Sequence, residues 1–282
     1  MIDGMHNNKV VQVFFCEGTQ NFRLSALFCS GRRDHVMGGS VLSIFRDSAG
    51  NNLLQGGAGT DTLTGATGRE LFIGGSGNDT ITTGSGTTGT GNDIIAFNRG
   101  DGVDTVLASS GQDNTLSLGG GIRNGDLALR KSSNDLVLDT ANNESIVYKD
   151  WYTGTTNKSL LTLQIIEEAS ADFVAGNANP LTNNKVEQFN FAGLVNRFDQ
   201  ERTATPTLTT WALSNALLDF YLSGSDTAAI GGDLAYQYGK TGSLSNIGLT
   251  AAQGVLGNAQ FGQVNQAINQ PGLAEGVVKL SA

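Results

Sequence analysis

DSAGNNLLQ (47–55), GGAGTDTLT (56–64), GATGRELFI (65–73) and GGSGNDTIT (74–82) follow one another without a gap, and TGTGNDIIA (88–96) resumes the pattern five residues later. The fourth residue of every block is glycine: Gly50, Gly59, Gly68, Gly77 and Gly91. The eighth is Leu54, Leu63, Phe72, Ile81 and Ile95, and the sixth is Asn52, Asp61, Glu70, Asp79 and Asp93. Four such blocks in register mark a repeat architecture in which each unit supplies one turn and one short strand. Side chains alternate along a strand. Leu63, Phe72 and Ile81 are therefore expected inside, with Thr62, Thr64, Thr80 and Thr82 outside. A six-residue turn reverses the chain, so two blocks complete one coil and alternate blocks stack on the same side.

That stacking has a chemical consequence. Asp61 and Asp79 are 18 residues apart and face one another across the gap between neighbouring turns. Glycine lets turn carbonyls point into the same gap, because it reaches backbone angles closed to other residues. A hard cation such as Ca2+ takes six to eight oxygens at about 2.3–2.6 Å, whereas Mg2+ demands a tighter octahedron. Two carboxylates with main-chain carbonyls suit calcium. The opposite side carries Asn52, Glu70 and Asp93: Asn52 lacks the charge, Glu70 adds a methylene, and the insertion Thr83–Thr87 disturbs the register with Asp93. A metal-free solenoid of Gly, Asn and Asp turns is the alternative. Against it stand a thin core and the entropy of ordering so much glycine.

Composition agrees with this reading. Of 282 residues 39 are glycine and only 3 proline, which fits repeated tight turns and not collagen or a proline-rich linker. The net charge of −9 and pI near 4.6 argue against nucleic acid, whose phosphates an acidic surface repels. The two cysteines, Cys16 and Cys29, have no metal-type spacing. No apolar run approaches the roughly 18 residues that span a membrane. Val10–Cys16 is interrupted by Gln12 and preceded by Asp3 and Lys9, a poor cleavable export signal.

Four regions are expected. Residues 1–37 form an atypical N-terminal segment, holding both histidines, both cysteines and all three methionines. Residues 38–107 form the β-roll. Residues 108–170 form a β-rich capping domain, and 171–282 a linker and helical C-terminal region. After the repeats, alternation predicts strands at 94–97, 105–107, 115–118, 127–130, 136–139, 145–148 and 161–166. Thr205-Pro206 predicts the start of a helix running through Trp211, Leu217 and Leu222 to Gly224, Thr250-x-x-Gln253 a second helix, and Val186–Phe198 a third. The fold class is thus mainly β: a short parallel roll, a β cap and a helical end.

The blocks 56–64 and 74–82 resemble the RTX, or haemolysin-type calcium-binding, nonapeptide GGxGxDxUx, and GGSGNDTIT fits every defined position. FNRGDGVDTV (97–106), NDLVL (134–138) and SIVYKDWY (145–152) resemble the segment that follows the repeats in long RTX proteins. The region Leu208–Leu256 resembles C-terminal parts of such proteins. The resemblance implies calcium ligands at Gly57, Gly59 and Asp61 facing Gly75, Gly77 and Asp79, with Gly89, Gly91 and Asp93 less well matched, and departures at Asn52, Ala66 and Glu70. It also implies an extracellular destination through type I secretion, with the export signal in about the last 60 residues, and a role for calcium in folding.

Rival readings find less support. A zinc protease needs His-Glu-x-x-His, and only His6 and His35 occur. A lipase needs Gly-x-Ser-x-Gly with a later histidine, and neither occurs. The chain therefore reads as no enzyme. TGTGND at 88–93 has an ice-binding flavour, but one copy builds no threonine array. A fragment of a large RTX adhesin, or of an RTX enzyme lacking its catalytic domain, is the alternative.

Overall fold

Alternate blocks of the repeat enter alternate sheets. In the computed structural model, which describes residues 25–28, 35–39, 42–47, 49–84, 91–107, 109, 113–155, 157–262 and 266–268, the strands Ser43–Arg46, Thr62–Thr64, Thr80–Thr82 and Val103–Leu107 stack in parallel in sheet A. His35–Met37, Leu53–Gly59, Leu71–Gly77, Ile94–Asn98 and Asn114–Gly119 stack in parallel in sheet B. Leu63 pairs with Phe45 and Ile81, and Phe72 with Leu54, each at the expected 18 residues, while the insertion after Thr82 lengthens the coil that pairs Phe72 with Ile95. Leu54, Leu63, Phe72 and Ile81 are wholly buried, while Thr62, Thr64, Thr80 and Thr82 are only half-buried. The strand phase read from the repeat is the phase adopted.

The capping region is not a separate layer, because both roll sheets run on through it. Sheet A continues from Val103–Leu107 to Ser145–Tyr148 in parallel. It then adds Asp135–Asp139, Ala128–Ser132 and Thr210–Ala212 antiparallel. Sheet B continues from Asn114–Gly119 to Leu160–Ile165 in parallel, then to Val186–Asn190 and Tyr221–Ser225 antiparallel. All seven strands expected between 94 and 166 form, with ends shifted by at most two residues. One apolar core runs between the sheets from Phe45 to Trp211 and Leu217, and includes Phe191, Leu194, Val195 and Phe198 of helix α1 (Phe191–Ala204). Asn190 caps that helix, its side chain accepting from the Gly193 amide. Residues 186–190, expected to be helical, are instead a strand leading into it.

The helix expected from Thr205 to Gly224 does not form. Its residues make the strand Thr210–Ala212, two short 3-10 turns and the strand Tyr221–Ser225. Thr205, Thr207, Thr209 and Thr210 are β-branched and weak helix formers, and the open edge of Ala128–Ser132 offers Trp211 a partner in Leu129. Helices α2 (Gly232–Thr241) and α3 (Leu249–Leu256) follow. Thr250 lies inside α3, whose cap is Gly248.

These last helices cover the outer face of sheet B. Leu234, Ala235, Tyr238, Ala252 and Leu256 pack with the outward-facing Leu53, Leu71, Ile73, Ile94 and Ala96. The roll therefore has two apolar layers on one side, where the repeat alone suggested one. Gly119 and Gly239 make the approach possible: a Cβ on Gly119 would lie 2.3 Å from the Gly239 Cα. Among the described residues no helix is long and apolar enough to cross a membrane.

Candidate metal centre

The turns that lead from sheet B to sheet A stack into a first column. Each carries two glycines in the left-handed region: Gly57 and Gly59 at φ 101° and 122°, Gly75 and Gly77 at 91° and 140°, Gly100 and Gly102 at 98° and 90°. Side chains are excluded there by space as well as by φ. A Cβ on Gly75 would meet the Gly57 carbonyl oxygen at 1.9 Å, one on Gly77 the Gly59 oxygen at 1.6 Å, and one on Gly102 the Gly77 oxygen at 2.1 Å. Carbonyl oxygens of one turn thus lie directly against the next.

The sixth-position aspartates climb this column as a ladder. The Ser43 amide donates to Asp61 Oδ1 at 2.6 Å, the Asp61 amide to Asp79 Oδ1 at 2.7 Å, and the Asp79 amide to Asp104 Oδ1 at 2.9 Å. All three aspartates are no more than 1% exposed. Asp61 Oδ2 and Asp79 Oδ2 are buried with no hydrogen-bond partner. Both point toward the first glycine of their own turn. A Cβ on Gly56 would lie 2.6 Å from Asp61 Oδ2 and 2.5 Å from the Gly74 carbonyl oxygen. A Cβ on Gly74 would lie 2.3 Å from Asp79 Oδ2 and 3.1 Å from Asp104 Oδ2.

The electrostatics of the ladder call for a positive charge. Among the described residues no Lys or Arg pairs with these carboxylates. Burial pushes Asp79 up to about 7 and Asp104 up to about 8, and raises Asp61 against the lowering effect of its bond from Ser43. Asp101, in the same third turn, accepts from the Asn98 amide at 2.7 Å and the Tyr238 hydroxyl at 3.1 Å, and burial pushes it up to about 7. Buried carboxylates without a counter-charge hold a proton or a cation. Orphaned carboxylate oxygens beside main-chain carbonyls are the donor set of a hard cation, so the residues present fit calcium. Among the described residues no three His, Cys, Asp or Glu side chains converge as a metal cluster; each gap of the column offers two aspartates beside main-chain carbonyls.

The turns from sheet A to sheet B form a second column, and it differs. Gly50 and Gly68 are left-handed at φ 99° and 151°, but Ala66 stands where the first column has a second glycine. The Glu70 amide donates to Asp93 Oδ1 at 2.8 Å and the Asp93 amide to Asn114 Oδ1 at 3.1 Å. The insertion after Thr82 therefore leaves Asp93 on the rung after Glu70. Glu70 is fully buried, and burial, with the Asp93 charge added, raises its carboxyl. A Cβ on Gly91 would lie 2.8 Å from the Gly68 carbonyl oxygen. Gly89 lies outside the described residues.

Of the ligands implied by the sequence, Gly57, Gly59 and Asp61 come together with Gly75, Gly77 and Asp79, in register at Gly57–Gly75 and Gly59–Gly77. Asp93 and Gly91 belong to the opposite column. The block alignment leaves out Asp101 and Asp104. Their signal is nevertheless legible: Gly100-x-Gly102-x-Asp104-x-Val106 repeats the spacing Gly75-x-Gly77-x-Asp79-x-Ile81. It escapes a search in eighteens because Asp104 follows Asp79 by 25 residues. No family model matches this chain, and no curated protein matches it at a significant level.

Proposed function

We propose that this chain is an RTX-type calcium-binding protein whose first turn column, at Asp61, Asp79 and Asp104, holds Ca2+. The observation that carries the reading is the pair of fully buried, unpartnered oxygens, Asp61 Oδ2 and Asp79 Oδ2, each beside a turn glycine in a column to which, among the described residues, no Lys or Arg pairs. Bound calcium supplies positive charge there. The aspartates orient through their Oδ1 bonds to the adjacent turn, leaving Oδ2 and the turn carbonyls to face the ion. Isothermal titration tests this: Asp61→Asn and Asp79→Asn lose calcium binding, while Asp126→Asn and Asp139→Asn, outside the turns, keep it. Equal losses at all four positions sink the assignment.

The finer part of the proposal is that calcium couples folding to export by type I secretion. Ordering glycine-rich turns costs about 1–2 kcal/mol per residue in backbone entropy. A site filled to 100 times its dissociation constant returns about 2.7 kcal/mol. Extracellular calcium modules bind at about 0.1–1 mM, well above cytosolic calcium, so the roll stays open inside the cell and closes outside. The docking of α2 and α3 on sheet B adds to that closure. Hydrogen exchange in chelator and in millimolar calcium reads it directly. Strong protection of Thr80–Thr82 in chelator contradicts it.

A further inference from the structure

Glu167 and Glu187 sit at the base of the loop 166–185, which joins the strands Leu160–Ile165 and Val186–Asn190. Both are 0% exposed, and Oε2 of each is buried with no hydrogen-bond partner. The basic residues nearest in sequence are engaged elsewhere: Lys185 with Glu168 and Arg123 with Asp172. Burial, then the charge of Glu187, push Glu167 up to about 7, and burial raises Glu187 as well. Asn124 joins them. Its Nδ2 donates to Glu167 Oε1 at 2.7 Å and to the Leu181 carbonyl at 3.0 Å, and its Oδ1 is a third buried oxygen without a partner. Glu187 Oε1 accepts from the Asn184 amide at 3.0 Å and from Asn184 Nδ2 at 3.1 Å.

A glycine lets polar atoms crowd together beside these oxygens. Glu187 faces Gly224 across the sheet. A Cβ on Gly224 would lie 2.4 Å from Glu187 Oε2, 2.6 Å from the Tyr221 hydroxyl and 2.2 Å from Asn184 Nδ2. The Tyr221 hydroxyl lies close by and works against the burial that raises the Glu187 carboxyl. The loop itself is long, and apart from the short turn Glu167–Ala169 it has no regular structure. Cross-loop bonds hold it, from Val174 N to Thr182 O at 3.0 Å and from Gly176 N to Asn183 O at 3.2 Å.

We infer that Glu167, Glu187 and Asn124 form a second site for a hard divalent cation of the calcium type, which ties the loop 166–185 to sheet B. Every donor is an oxygen, and two carboxylates balance a 2+ charge; with no imidazole or thiolate in the set, zinc and copper are poor fits. The site shares no residue with the turn columns and stands or falls independently of them.

The test uses the full chain in saturating calcium, counting bound ions by equilibrium dialysis and following amide exchange. Glu167→Gln/Glu187→Gln removes the charge and keeps the shape. It loses one bound ion per chain, and protection at Val174 and Gly176 falls by about 100-fold for a site that had been filled to 100 times its dissociation constant. Ile81 in the roll keeps its protection. Gly224→Ala, which keeps both charges but whose Cβ pushes Glu187 Oε2 out of its position, gives the same loss and serves if the double variant does not fold. An unchanged ion count with unchanged or increased loop protection in either folded variant overturns the inference, because removing buried like charges that hold no cation relieves repulsion.

Discussion

The two turn columns are made from one nine-residue unit and differ in a few atoms. In the first, each turn has glycine at its second and fourth positions and aspartate at its sixth. The aspartate is short enough to reach one amide of the neighbouring turn with Oδ1 and leave Oδ2 beside its own first glycine. In the second, Ala66 replaces one glycine and Glu70 extends the carboxylate by a methylene. Glu70 then lies against the Cβ positions of Gly65 and Gly68, with oxygens 2.9 Å from each, and beside the Asp93 carboxyl. A bond from a main-chain amide to an aspartate carboxylate on the next rung occurs in both columns, from Asp61 to Asp79 and from Glu70 to Asp93. Both columns leave buried carboxylate oxygens without a hydrogen-bond partner, Asp61 Oδ2 and Asp79 Oδ2 in the first and both Glu70 oxygens in the second; what changes is their setting, because Glu70 faces the Asp93 carboxyl in a turn with one glycine fewer.

The strongest way to break this contrast is to exchange the ligands. Asp79→Asn should weaken calcium binding by about 30-fold or more, the scale of leaving a buried charge without its partner. Glu70→Gln should leave titration of the first column unchanged, and equal losses from the two would erase the distinction. Next is the core between the columns, which both need. Ile81→Ala should cost about 2–5 kcal/mol in calcium, and Thr80→Ala on the outer face about 0.5 kcal/mol or less; denaturant melts decide it, and similar losses would mean the strand phase is wrong.

Acidity sharpens the comparison further. Asp79 and Asp104 have folded values raised from 3.8 to about 7 and about 8. Their protonated forms therefore favour the fold below about pH 4, and that contribution is lost as pH rises through 7 to 8. In chelator, thermal stability should fall between about pH 5 and pH 8; in millimolar calcium the trend should flatten or reverse, because the ion requires the deprotonated ladder. An identical slope in both conditions would mean that the aspartates do not hold the ion. The smallest effect tests how the first column is tied to the C-terminal helices. Tyr238→Phe removes the bond to Asp101 and should cost about 1–3 kcal/mol, with local exchange rising at Asp101 and in α2.

Much of the roll is written in its own repeat. Leu54, Leu63, Phe72 and Ile81 are inside because an eighth position recurring every nine residues can meet its neighbour only in the interior. The strands from 94 to 166 are legible for the same reason, since alternation is a local property of each strand. The outer face of sheet B was not foreseen, although Leu53, Leu71, Ile73 and Ile94 flank the inward residues of one sheet where threonines flank those of the other. An apolar pair on an outward face requires a cover, and α2 and α3 provide it.

The sequence by itself thus determined the coil repeat, the side on which each repeat residue points, and the alignment of Asp61 with Asp79. These follow from period and backbone freedom, which are local. Only the tertiary structure decided that Thr210–Ala212 pairs as a strand where a helix was expected, and that Glu167 and Glu187 are both wholly buried at the base of one loop. Those outcomes rest on contacts between segments far apart in the chain. They depend on which sheet edge, core or backbone donor is left open once the repeat has folded, and no local spacing encodes that.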